Sequence, residues 1–164
     1  MMDKQEFTNI LQNWLEEFAK KKFSNEYEIK VIIPNSNLNI LQDVDLSKMV
    51  NVGLMEFKPD ILGILTNKKT KQIELILLNR EIKKFGLREI GEMLCYCRLT
   101  NPKLAIMASL KGLSPDIDKM INHQKRKEIL EFNDNVIQLF RWDQHKTRID
   151  KYSITPIESK EFFD

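Results

Sequence analysis

Two apolar runs constrain what this chain can become. Ile61-Leu62-Gly63-Ile64-Leu65 and Leu75-Ile76-Leu77-Leu78 are separated by the polar stretch Thr66-Asn67-Lys68-Lys69-Thr70-Lys71-Gln72, which suits a hairpin. A strand wetted on one face alternates apolar and polar residues, whereas a near-continuous apolar run needs cover on both faces. Residues 52–65 and 73–82 are therefore expected to be central strands of a sheet with material packed above and below.

The flanking segments supply that material. Phe7, Ile10, Leu11, Trp14, Leu15 and Phe18 recur at three- and four-residue steps, so residues 5–22 read as an amphipathic helix. Lys20, Lys21 and Lys22 stand at its end, where cations suit the helix dipole. Residues 27–33 read as a strand ending at Pro34, 35–39 as a loop, and 40–50 as a short helix. Leu87, Ile90, Leu94 and Cys97 form one stripe of a helix over 87–99, stopped by Asn101-Pro102. Residues 104–110 form a third core strand, Ser114-Pro115 opens another helix, and 135–141 form the last strand. The polar tail beyond Trp142 carries little pattern. This order predicts an α/β fold over residues 1–164, a single domain with a central mixed β-sheet flanked by helices. The segment from 73–82 through the helix to 104–110 has the form of a crossover between parallel strands.

Composition narrows the class. With 42% apolar and 30% charged residues and no apolar run near the ~18–20 needed to cross a bilayer, a globular chain without a membrane anchor is expected. The first residues, Met1-Met2-Asp3-Lys4-Gln5-Glu6, have no secretory-signal pattern, so the expected location is cytoplasmic. Cys95 and Cys97 fall about 200° apart around their helix, which predicts structural thiols without a shared disulfide or metal. A formal charge of +2 gives no global attraction to nucleic acid, so any such role depends on local clustering.

Chemistry gathers at the strand ends. Pro59-Asp60 precedes the first apolar run, and Asn79-Arg80-Glu81-Ile82-Lys83 closes the second. Alternation places Asn79, Glu81 and Lys83 on one side and Glu74 and Arg80 on the other, so Asp60 and Glu81 are expected to meet at one sheet edge. Two carboxylates there would suit Mg²⁺, a hard cation that takes oxygen ligands.

Over roughly residues 5–110 the chain resembles the PD-(D/E)xK nuclease superfamily, which has the restriction endonuclease-like fold. Two registers compete for the second motif. Glu81-Ile82-Lys83 matches E-x-K literally, with Glu81 as metal ligand and Lys83 orienting water. Asn79-Arg80-Glu81 follows Ile76-Leu77-Leu78 directly, where such strands deliver the motif, and is preferred. Glu92 and Tyr96 have the spacing of a Gln and Tyr often found on the following helix in related nucleases. The resemblance implies a Mg²⁺-dependent DNA endonuclease with Asp60, Glu81, Asn79 and Lys83 as catalytic residues. Asp60, Glu81, Glu92 and Glu17 are then the metal-ligand candidates. Asn79 brings an oxygen without negative charge, which weakens a Mg²⁺ site. The alternative is therefore a catalytically impaired relative that binds nucleic acid or assembles a complex in defence or repair. DNA contacts are expected from Lys68, Lys69 and Lys71 on the hairpin, from Lys83, Lys84 and Arg88, and from Lys119, Lys125, Arg126 and Lys127. A homodimer or protein complex is a further expectation from the resemblance.

Overall fold

The computed structural model describes residues 2–34 and 58–164. The loop expected over 35–39, the short helix over 40–50 and the first part of the strand over 52–65 lie outside the described residues.

Helix α1 runs Lys4–Phe23. Asp3 caps it, its Oδ1 accepting the Glu6 N–H at 2.8 Å, and Lys20, Lys21 and Lys22 close it. Phe7, Leu11, Leu15 and Phe18 are buried along one stripe, as their spacing predicts. After a short turn come β1 (Tyr27–Ile32), β2 (Ile61–Asn67) and β3 (Ile73–Glu81). The β2–β3 connection is a tight polar turn in which Asn67 Oδ1 accepts the N–H groups of Lys69 (2.9 Å) and Thr70 (3.0 Å). Helix α2 (Leu87–Thr100) leads to β4 (Leu104–Ser109). A short helix, α3 (Pro115–Asp118), continues into a wider π turn over Lys119–His123. Ser114 precedes it in extended conformation without a side-chain capping bond.

The strand expected over 135–141 is two strands. Glu131–Phe132 (β5) and Asn135–Val136 (β6) form a small hairpin, and Gln138–Asp143 (β7) belongs to the main sheet. The break falls at Ile137, which is buried and donates its N–H to Leu130 O at 2.9 Å, tying the chain to the hairpin before it turns away. Arg148–Ile149 (β8) and a 3-10 helix over Ile157–Phe163 bring order to the tail.

The main sheet has six strands in the order β1-β2-β3-β4-β7-β8. Its β1–β2, β2–β3 and β7–β8 pairs are antiparallel, while β3–β4 and β4–β7 are parallel. The sheet is thus mixed, and β3 and β4 are parallel neighbours joined through α2, as the crossover pattern implies. Alternation along each strand then divides the core in two. Ile61, Leu65, Ile76, Leu78, Ile106 and Phe140 pack with α1, and Leu62, Leu75, Leu77, Met107 and Leu139 pack with α2 on the other face. Each fully buried aliphatic side chain contributes about 1.5–3 kcal/mol of transfer free energy.

Three expectations for individual side chains change. Leu87 is 59% exposed, so the buried stripe of α2 is Ile90, Met93, Tyr96 and Cys97, rotated from the one drawn through Leu87 and Leu94. Cys95 is exposed, and only Cys97 is a buried thiol, since 200° of rotation takes one of them off the core. Lys83 lies beyond the end of β3 at Glu81 and points into solvent, so strand alternation no longer sets its direction. Among the described residues no helix is long and apolar enough to cross a membrane.

Candidate functional site at the sheet edge

Because β2 runs antiparallel to β3, and β3, β4 and β7 run together, one edge of the sheet collects the start of β2 and the ends of the other three. Ile61 opposes Leu78, so continuing the register sets Asp60 opposite Asn79. The Asp60 N–H donates to Asn79 Oδ1 at 3.1 Å, extending the ladder by a side chain. Of the two motif registers, Asn79-x-Glu81 is the one beside Asp60.

The Asp60 carboxylate is occupied. Its Oδ2 accepts the backbone N–H of Arg80 at 2.8 Å, and its Oδ1 meets the Arg80 guanidinium at 3.2 Å. Arg80 in turn donates from Nε to Thr8 Oγ1 at 2.7 Å, and Thr8 donates to Lys4 O at 2.8 Å, which locks the guanidinium against α1. The Arg80 side chain is 11% exposed and that of Asp60 30%, so the pair is mostly removed from water. Burial pushes the Asp60 carboxyl above its ordinary range, against the opposing pull of the Arg80 N–H, the Arg80 charge and the Lys4 charge, and with a further push from Glu92. A cavity of about 320 Å³, lined by Gln5, Thr8, Pro34, Lys58, Asp60 and Arg80, opens beside the pair.

The other candidate acids have hydrogen-bond partners of their own, or none in common with Asp60, although Glu92 is near enough to push the Asp60 carboxyl up. Glu81 curls onto its own chain, its Oε1 accepting the N–H groups of Ile82 (2.9 Å) and Lys83 (3.4 Å). Glu92 accepts the Tyr96 hydroxyl at 3.0 Å, and that hydroxyl also receives the Lys58 N–H at 3.4 Å. Burial, seconded by Glu92, pushes the Tyr96 phenol up to about 12. Glu17 is exposed and lies nine residues from Thr8, about half a turn to the opposite side of α1. Among the described residues no group of three or more acidic, His or Cys side chains is arranged to hold a metal ion.

Mg²⁺ fits this donor set poorly. One Asp60 oxygen is engaged by the Arg80 guanidinium and the other by the Arg80 main-chain N–H, and Asn79 adds a neutral oxygen already bonded to the Asp60 N–H. Arg80 is the partner of Asp60 that residue types alone miss. A cation at the end of an otherwise apolar strand, on the face toward α1, must find a partner.

Cations crowd the same edge. The turns after β3 and β4 are joined through Ser109, whose Oγ donates to Lys83 O at 2.6 Å and accepts the N–H groups of Lys111 and Gly112 at 2.9 Å each. Phe85 N–H adds a bond to Gly112 O at 2.9 Å. Lys83, Lys84 and Lys111 are exposed on these joined turns, with Lys58 before β2 and Arg88 at the start of α2. No ion pair within 4.0 Å joins any of these five to a carboxylate among the described residues.

The other candidate cations lie elsewhere. Lys68, Lys69 and Lys71 sit at the far end of β2, about 20 Å along a seven-residue strand from Asp60. Lys68 donates to Ser24 O at 2.6 Å, and Lys71 approaches Glu28 at 4.0 Å. Arg126 pairs with Glu128 at 2.5 Å and Lys127 with Glu158, while Lys119 and Lys125 are exposed. Compared with protein-family models and with curated proteins, the chain matches none.

Proposed function

We propose that this chain has the restriction endonuclease-like fold and acts as a nucleic-acid-binding module in which the hydrolytic site has been replaced by a fixed ion pair. The observation that carries this reading is that Arg80 occupies both Asp60 oxygens, Oδ1 through its guanidinium and Oδ2 through its main-chain N–H, at the place where a metal-dependent enzyme would need an open carboxylate. Around it, Lys58, Lys83, Lys84, Arg88 and Lys111 offer positive charge that is not paired with a carboxylate among the described residues. Such a rim binds phosphates through counterion release, independently of base sequence.

The test uses the whole chain and a labelled DNA of mixed sequence. Binding should be measurable at about 50 mM salt and weaken steeply by about 200 mM. Replacing Lys83, Lys84 and Lys111 together by alanine should reduce affinity by about tenfold or more, since each lost phosphate contact also lowers the salt slope by about one. With Mg²⁺ or Mn²⁺ the protein should leave plasmid DNA intact. Nicking that Asp60→Asn abolishes would overturn this reading in favour of the metal-dependent endonuclease. No binding at low salt would remove nucleic acid from the account.

A further inference from the structure

Beyond the cationic rim stands an aromatic side chain that lies almost wholly in solvent. Tyr152 is 95% exposed, on the loop between β8 and the C-terminal 3-10 helix. Its backbone is held firmly. The Tyr152 N–H donates to Asp150 Oδ1 at 3.1 Å, and Ser153 Oγ both accepts the Arg141 N–H (2.7 Å) and donates to Asp150 O (2.7 Å). The loop therefore presents the ring from a fixed base. Lys160 Nζ lies 5.3 Å from the ring centroid on one face.

Two cavities flank this ring. One, of about 530 Å³, is lined by Lys84, Asp118, Asn122, Ser153 and Thr155 as well as Tyr152. The other, of about 380 Å³, is lined by Lys146, Arg148, Lys151 and Lys160 together with Tyr152, Asp143 and Asp150; Lys146 approaches Asp143 at 4.0 Å and Lys151 pairs with Asp164, which leaves Arg148 and Lys160 as its cations outside any ion pair among the described residues. Both are open depressions on the surface, wide enough for a flat group to lie in but not to be enclosed. Lys84 lines the larger cavity and stands on the joined turns at the sheet edge, and Tyr152 lines both cavities, so these two side chains connect the edge with Arg148 and Lys160.

We propose that this path takes a single-stranded nucleic acid, with one unstacked base lying on the Tyr152 ring and entering the larger cavity while its neighbouring phosphates meet Lys84 on one side and Arg148 and Lys160 on the other. The chemistry selects this ligand class. A base inside a duplex already has both faces covered, whereas an unpaired base offers a free π face to a protein ring. Asn122, whose Nδ2 already donates to Asp118 Oδ1 at 2.7 Å, keeps its amide oxygen and a second N–H for a base edge without requiring one identity, and a ring between cations is the recurring arrangement of strand-tracking proteins. This inference rests on the nucleic-acid reading above and narrows it to single strands.

The experiment measures anisotropy of a labelled mixed-sequence strand of about 15 nucleotides, and of its duplex, at about 50 mM salt. Wild-type protein, Tyr152→Ala, Tyr152→Phe and the Lys83/Lys111 double alanine variant are compared. The single strand should bind more tightly than the duplex. Tyr152→Ala should weaken single-strand binding by about tenfold or more, and Tyr152→Phe, which keeps the ring, should stay within about twofold of wild type. The double alanine variant should weaken both ligands. Duplex binding with an unaffected Tyr152→Ala protein would overturn the single-strand inference alone. Equal loss in the alanine and phenylalanine variants would overturn the stacking role, and no binding of either ligand would overturn both proposals. Because Tyr152 is almost wholly exposed, its replacement leaves the core intact.

Discussion

Replacing Arg80 by methionine keeps most of the aliphatic packing and strips Asp60 of its countercharge. The expected cost is about 2–4 kcal/mol in urea unfolding at neutral pH, because a mostly buried carboxylate is left with only main-chain and Lys4 support. The penalty has a pH signature. Burial raises the folded Asp60 carboxyl above its unfolded value, so the native state holds that proton more tightly and its contribution to stability falls as pH rises through the folded pKa. Without Arg80 that fall should steepen, and the gap between variant and wild type should narrow as the pH is lowered into the carboxylate range. The thiols give an independent check. Burial pushes Cys97 up to about 12, so an Ellman titration of native protein should modify Cys95 and reach Cys97 only on unfolding. Much at this scale was hidden in the residue string. Asn79 beside Asp60 could be drawn from motif spacing, but the Arg80–Asp60 pair joins residues 20 apart and exists only once β2 and β3 are in register.

The elements themselves were far more legible. Runs such as Ile73–Glu81 and Leu104–Ser109 announce doubly covered strands because no other placement hides so many adjacent apolar side chains. Continuity of pattern, however, says nothing of a change of partner, and β6 and β7 merged into one expected strand although Ile137 divides them between two sheets. Gly63 tests how tightly the central pair is fitted. A Cβ built there would lie 2.9 Å from the Cβ of Ile76, its cross-strand partner, so the strands must part to admit it. Gly63→Ala should therefore destabilise the protein by about 1–3 kcal/mol, visible as a lower urea midpoint with an unchanged slope. Gly91, with nothing within 4 Å of its would-be Cβ on an exposed helical face, is the control, and Gly91→Ala should be neutral or stabilising.

For the molecule as a whole, the two faces of the sheet are built differently. The α2 side is mainly aliphatic, while the α1 side is finished by aromatic rings contributed by the tail. Phe163 lies 5.5 Å from both Phe18 and Phe140 and 6.3 Å from Trp14, centroid to centroid. Phe163→Ala should cost about 1–3 kcal/mol, less than a fully enclosed ring because the residue is only partly buried, and this would be read from the thermal midpoint. A polar tail with two consecutive phenylalanines carries no periodicity to announce such docking. Its place became plain only with Trp14, Phe18 and Phe140 assembled around it.

Both tryptophans of the chain, Trp14 and Trp142, belong to that aromatic group, with ring centroids 6.1 Å apart. Indole emission is accordingly a local reporter that watches the first helix and the tail and is blind to the opposite half of the core. If far-ultraviolet dichroism and emission trace the same urea curve, the sheet transmits melting from one half to the other. Curves that separate would mean that the tail and first helix come away as a unit of their own.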